Sequence, residues 1–193
     1  MKRTVAFALL LALAGDRAAG SDKEGRFAVE GAGSTRCSQY LVSWQAASKT
    51  FYAYGGWIEG YVTASNQYLP DTYDLTPWEN TNHLAALLAN HCRRHPDQAF
   101  ISAVRLMIKA LREERLEESS PVILAKSGTK GTRLYRAVLR RVQAALKREG
   151  LYTGEVDGAW EEQTREALLA YQRRERLETS GLPDQKTLMG LLR

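Results

Sequence analysis

The chain has 193 residues, 44% hydrophobic and 25% charged, with a formal net charge of +5. This is the composition of an ordinary globular protein of one large or two small domains, and it excludes low-complexity and membrane-saturated classes. Counted as Lys and Arg against Asp and Glu, residues 21–132 are about neutral and residues 133–193 carry about +3, without a basic run, so no nucleic-acid partner is expected.

The N-terminus has the layout of a signal peptide over residues 1–20. Lys2 and Arg3 precede the apolar run Val5–Ala14, and Ala18 and Gly20 are small residues at −3 and −1 of a cut before Ser21. The run is short for a bilayer span, so no membrane anchor is expected, and the exported chain is expected in the periplasm or outside the cell. Export bears on Cys37 and Cys92, which in an oxidising compartment most simply form one disulfide. A metal pair would lack CxxC-spaced ligands, and a nucleophile would leave one thiol unpaired.

Residues 21–35 mix charge with glycine and read as a flexible leader. Helical patterning begins at Arg36. Cys37, Tyr40, Leu41 and Trp44 form one stripe; Phe51, Tyr54, Ile58, Tyr61, Val62 and Tyr68 form a second. Gly55, Gly56 and Gly60 interrupt the second stripe and predict close helix packing or a local break. Residues 69–82, with Pro70 and Pro77 and no period, form a loop of a length often tied to function or mobility. Leu84, Leu87, Leu88 and Cys92 mark a short helix before Pro96. Pro96-Asp97 suits a helix start, and Phe100, Val104, Met107, Ile108 and Leu111 then trace the cleanest amphipathic face. Residues 36–116 are thus expected to be an α-helical domain tied by the disulfide. The Ser-, Gly- and Lys-rich residues 117–132 read as a linker whose apolar triplet Val122–Leu124 could dock on either domain.

Residues 133–193 show three further helical segments. The first carries Leu134, Ala137, Val138, Val142, Ala145 and Leu146 and ends at Gly150, a residue suited to a left-handed cap. The second carries Ala167, Leu168 and Tyr171, and the third Leu188, Leu191 and Leu192. A glycine followed six positions later by threonine occurs twice, as Gly158–Thr164 and Gly181–Thr187, each time ahead of a helix. The echo predicts two similar loop-to-helix turns in one bundle.

Val142-Gln143, Leu146, Gly150, Tyr152, Gly154, Asp157-Gly158, Thr164, Ala167, Tyr171-Gln172, Leu177, Gly181, Thr187 and Leu191 carry a family likeness. On these residues, positions 138–192 resemble the peptidoglycan-binding domain type 1 family, a three-helix module of cell-wall proteins. The resemblance implies binding of peptidoglycan stem peptide or glycan; it does not imply catalysis, and no cofactor or metal is expected. The candidate ligand-binding residues are Tyr152, Asp157, Gly158, Trp160 and Thr164. Asp157 and Gly158 are expected to serve the turn first, and Gln143 and Gln172 to tie loop backbone groups through their amides. Tyr152 and Trp160, as exposed rings beside a tight loop, would serve contact or packing equally. Glu161 departs from the family, which commonly has glycine there, and puts the helix start and any groove beside it in question.

In the N-terminal domain, Cys37 with Tyr40-Leu41, the stretch 57–61, Asn66, Tyr73-Asp74 and the stretch 91–96 are similar to the Tai-type immunity proteins. Those are exported helical inhibitors of wall-amidase effectors of type VI secretion, so the likeness implies a wall-associated hydrolase or effector as partner. Enzymatic readings rest on His91 and His95 at zinc-chelating spacing, with no acidic base between them, and on Glu59 between Ile58 and Gly60 as a lone carboxylate in an apolar setting. The sequence therefore predicts an all-α protein of two small helical domains, an exported non-catalytic binder of peptidoglycan. The alternative is a cell-wall hydrolase with a catalytic N-terminal domain.

Overall fold

The computed structural model describes residues 21–193; the signal-peptide reading of residues 1–20 lies outside the described residues. Four helices build the N-terminal domain: α1 (Cys37–Gln45), α2 (Lys49–Tyr68), α3 (Thr81–Arg94) and α4 (Phe100–Leu111). Three more, α5 (Arg136–Arg148), α6 (Glu162–Arg174) and α7 (Gln185–Leu192), build the C-terminal one. The expected all-α class and the Cys37–Cys92 disulfide are both present, the latter joining the start of α1 to the end of α3 across 55 positions. A crosslink closing a loop of that length stabilises the fold by about 4 kcal/mol on the chain-entropy model.

The N-terminal core forms where the apolar stripes meet. Tyr40, Tyr54 and Phe100 pack edge-to-face or tilted at centroid distances of 4.7–5.0 Å, and the Tyr40 hydroxyl donates to the Ala85 carbonyl at 2.7 Å. Ile58, Leu88 and Val104 fill the space around them, each burying enough surface to contribute about 1.5–3 kcal/mol. Tyr68, read onto the buried face of α2, is instead exposed at its last turn.

Four local expectations are corrected. The glycines of α2 neither break the helix nor pack it closely: α2 is continuous, and a Cβ at Gly56 or Gly60 would meet nothing within 4 Å. Pro96 does not start a helix; α4 begins at Phe100, because the carbonyls of Pro96, Asp97 and Gln98 turn back to accept hydrogen bonds from Ser38, Arg36 and Cys37 at the start of α1. The leader is ordered against the domain at its end, where Gly31–Ser34 forms a 3-10 turn under Trp57. A Cβ on Gly33 would lie 2.0 Å from that indole, so only glycine fits.

The fourth concerns residues 117–132, which contain the first strand of a hairpin as well as connecting chain. β1 (Val122–Ser127) pairs antiparallel with β2 (Lys130–Tyr135), Ser127 opposite Lys130. Gly128, at φ 58°, provides the positive dihedral that a two-residue hairpin turn needs. Ile123 and Ala125 face the C-terminal core while Val122 and Leu124 point to solvent. β2 runs directly into α5, so the hairpin belongs to the C-terminal domain.

The loop over residues 69–80 crosses between the domains. Leu75 seals the N-terminal core, whereas Trp78, three residues on, is buried with the C-terminal core. Around it the Asn80 N–H donates to Gln185 Oε1 at 2.9 Å, and Arg193 Nη2 donates to Glu79 Oε1 at 3.4 Å. A second tie is made by Arg141, whose guanidinium donates to the carbonyls of Glu114 and Arg115 at 2.6 and 3.2 Å. No helix among the described residues is long and apolar enough to cross a membrane.

Candidate functional site

Two buried glutamines organise the C-terminal domain. On α5, Gln143 accepts from the Gly158 N–H at 2.8 Å; its own amide donates to the Ala159 carbonyl at 3.0 Å and to Thr164 Oγ1 at 3.2 Å. On α6, Gln172 accepts from the Gly181 N–H at 2.8 Å and donates to the Leu182 carbonyl at 2.9 Å and to Thr187 Oγ1 at 3.0 Å. Each glutamine therefore holds a glycine, the residue after it and the threonine six positions on. The echo in the sequence is a repeated hydrogen-bond frame. Both glycines have positive φ, 76° and 67°, which glycine adopts without steric penalty.

The candidate ligand-binding residues lie in the first frame and around it. Gly158 and Thr164 belong to the frame itself; Thr164 is fully buried. Asp157 Oδ1 accepts from the Ala159 N–H at 2.8 Å, and that bond holds the Asp157 carboxyl below the usual carboxylate range. Tyr152 is not the exposed ring the sequence suggested. It is 5% exposed, and its hydroxyl donates to the Glu155 carbonyl at 2.8 Å. It also accepts from Gln143 at 3.3 Å, so the ring closes the loop from inside. Trp160 is half-buried, with Nε1 donating to the Lys126 carbonyl at 3.2 Å, so one edge rests on the hairpin while part of the ring meets solvent.

Glu161 explains its own tolerance. It caps α6 at φ −133°, an extended conformation that any residue adopts, so a glycine has no conformational role there. Its side chain makes no capping bond, whereas Asp184, at the start of α7, accepts from the Thr187 N–H at 2.9 Å.

The residues behind the enzymatic readings do not converge. Glu59 is exposed on α2, accepting from the Thr81 hydroxyl, and lacks the apolar setting read from the sequence. The rings of His91 and His95 stand 4.6 Å apart, and His91 Nε2 lies 2.6 Å from Gln98 Oε1. Among the described residues no group of three or more His, Cys, Asp or Glu could hold a metal ion.

Sequence reasoning missed a polar cluster at the domain junction. Glu79, whose side chain is 1% exposed, has its carboxyl pushed up by burial, and burial likewise pushes the His83 imidazole down. The Arg193 guanidinium lies 5.2 Å over the Trp78 ring. The available signal was a tryptophan beside proline in a loop without period.

No curated protein and no solved structure matches the chain. The segment that carries both glutamine-centred frames is the one with a match: residues 135–191 fit the family model described as "Putative peptidoglycan binding domain".

Proposed function

We propose that this is an exported, non-catalytic protein of the cell wall, in which the C-terminal module binds peptidoglycan and holds the N-terminal helical domain beside it. The observation that carries this reading is the family match over residues 135–191, supported by the intact pair of Gln-centred frames. The N-terminal domain then acts as the partner-binding part, an inhibitor of a wall-directed hydrolase or effector. Tethering supports that role, because a domain held at the wall meets wall-associated partners at raised local concentration. The signal-peptide pattern of residues 1–20 and the disulfide favour a periplasmic or secreted location. Trp160, the partly exposed ring beside the first frame, is the contact residue of choice, with Asp157 at its side.

The test is incubation of the chain from Ser21 onward with purified sacculi, measuring both pelleting and release of soluble fragments. Pelleting without release is expected. Trp160→Ala should lower pelleting while helicity by circular dichroism is retained. Fragment release abolished by Glu59→Gln would overturn the non-catalytic reading. For the inhibitor role, adding the protein to a wall amidase should slow its digestion of sacculi; an unchanged rate across a panel of wall hydrolases counts against that role.

A further inference from the structure

In the N-terminal domain, α3 and α4 leave an open groove of about 450 Å³ between them. Leu87 and Leu88 line it from α3, and Ala103, Leu106, Met107 and Ala110 line it from α4. The alanines are the local cause: Ala103 and Ala110 leave space that longer side chains would fill, over a stretch of about two turns, roughly 10 Å. Leu106 stands at the rim, 49% exposed. It also borders a second depression, where its companions are Gln98, Ser102, Arg105 and Lys109. Arg105 and Lys109 are i, i+4 neighbours, so a basic strip adjoins the apolar one, and Leu106 divides the two.

Charge says what covers this face. Residues 21–132 are about neutral as a whole, yet α3 and α4 carry Arg93, Arg94, Arg105 and Lys109 and no Asp or Glu. Glu114, just beyond α4, is the one carboxylate side chain of the groove lining. An apolar strip beside a basic one complements a helix with an apolar stripe and an acidic flank, and two turns of groove accept anchors spaced i, i+3 or i+4 and i+7. A membrane surface fits less well, because Leu106 is the one large apolar side chain of α3 and α4 that projects, while Leu87 and Met107 are reached only by something that enters the groove. We propose that the α3–α4 groove is the docking surface of the N-terminal domain for a protein partner, and that it takes an amphipathic, acidic-flanked helix. The proposal rests on the partner-binding reading of this domain and adds to it the surface and the partner's chemistry.

The experiment titrates the chain from Ser21 into a fluorescein-labelled synthetic helix with leucines at i, i+3, i+4 and i+7 and glutamates along one flank, read by anisotropy. Two further peptides carry lysine in place of glutamate, or the same residues scrambled so that the leucines share no face. Saturable binding of the glutamate peptide is expected, with about tenfold weaker binding of the lysine peptide at low salt and none of the scrambled one. Leu106→Ala should weaken binding about fivefold, and Ala110→Trp, which fills the groove, should abolish it. Arg105→Glu with Lys109→Glu should reverse the preference between the charged peptides. All four positions are exposed, so these variants are expected to fold, with helicity by circular dichroism as the check. No binding of the glutamate peptide overturns the proposal, and equal binding of the two charged peptides overturns the acidic partner. Binding untouched by Leu106→Ala and Ala110→Trp overturns the groove. Two other occupants would also overturn it: a second copy, seen as a dimer dispersed by Leu106→Glu in sedimentation, or a membrane, seen as Leu106-dependent pelleting with phosphatidylglycerol vesicles without peptide binding. The amidase assay run in parallel separates the readings. Slowed digestion without peptide binding overturns the groove alone, and peptide binding without slowing of any hydrolase upholds the groove and overturns the inhibitor role.

Discussion

The two loop-to-helix turns of the C-terminal domain share a frame and differ in what closes it. The second is self-contained: Gln172 holds Gly181 and Thr187, Ser180 Oγ accepts from the Leu182 N–H at 3.2 Å, and Asp184 caps α7. The first leans on its surroundings. Tyr152 plugs it from inside, Trp160 reaches the hairpin, and its helix starts at Glu161 without a side-chain cap. Repetition of the glutamine bonds preserves the bundle, and the differences lie where a ligand could be met. A loop whose aromatic ring is held by an edge contact, with part of the ring open, is better suited to contact than one closed by its own side chains.

The largest effect expected is from removing a glutamine. Gln143→Leu leaves a buried N–H, a carbonyl and a hydroxyl unpaired, and Gln172→Leu does the same in the second frame. At about 1–3 kcal/mol for each unsatisfied group, either variant should lose roughly 3 kcal/mol or more in urea unfolding. Losses equal to within about 1 kcal/mol would confirm the frames as equivalent. A far smaller loss for Gln143 would break the comparison, by showing that Tyr152 and the hairpin hold the first loop without it.

The glycines should separate the loops next. A Cβ at Gly158 would lie 2.6 Å from the Arg136 backbone carbonyl, which cannot move without disturbing α5. At Gly181 the nearest atom would be the Arg165 Cγ at 3.1 Å, part of a flexible side chain. Gly158→Ala is expected to cost about 3 kcal/mol and Gly181→Ala about 1 kcal/mol, the latter mainly for the left-handed backbone. The ranking is read from the two unfolding midpoints, and its reversal would refute the close approach of α5.

Much of this frame was legible in the sequence, because a glycine, its spacing to threonine and the helical stripes are local patterns. Phe100 to Leu111 announced α4 in the same way. The hairpin was harder to read. Its inward residues are only Ile123 and Ala125, and its turn is Gly128-Thr129 rather than an Asn-Gly pair. The junction was not readable at all from local pattern, since Glu79 and Arg193 are brought together from 114 positions apart and Trp78 sits in a loop without period. Tyr152 shows the limit of residue type: an aromatic ring in a glycine-rich loop looks exposed until the fold turns it under the loop.

The caps come third. Asp184→Ala removes the bond to the Thr187 N–H and should cost about 1 kcal/mol, whereas Glu161→Ala removes no capping bond and should stay within about 0.5 kcal/mol. Glu161→Asp, which brings the carboxylate within capping reach, should raise stability slightly. A loss of more than about 1 kcal/mol for Glu161→Ala would mean that this carboxylate has a role the geometry does not account for.

The smallest difference sits just before each glycine. Asp157 and Ser180 both accept from the N–H two residues on, so the turns are built alike, but only Asp157 can lose its charge. Its carboxyl is held below the usual range by the Ala159 N–H, so the folded state favours the ionised form. The contribution is therefore present above the unfolded value, about pH 3.9, and is lost as pH falls through the lower folded value. Asp157→Asn keeps an oxygen acceptor and removes the titration. Unfolding midpoints measured from about pH 5 down to about pH 2 should fall less steeply in that variant than in the parent chain, because one carboxylate no longer takes up a proton on unfolding. Parallel acid profiles for the parent chain and Asp157→Asn would show that the first turn draws nothing from its charge, leaving the two loops alike in this respect too.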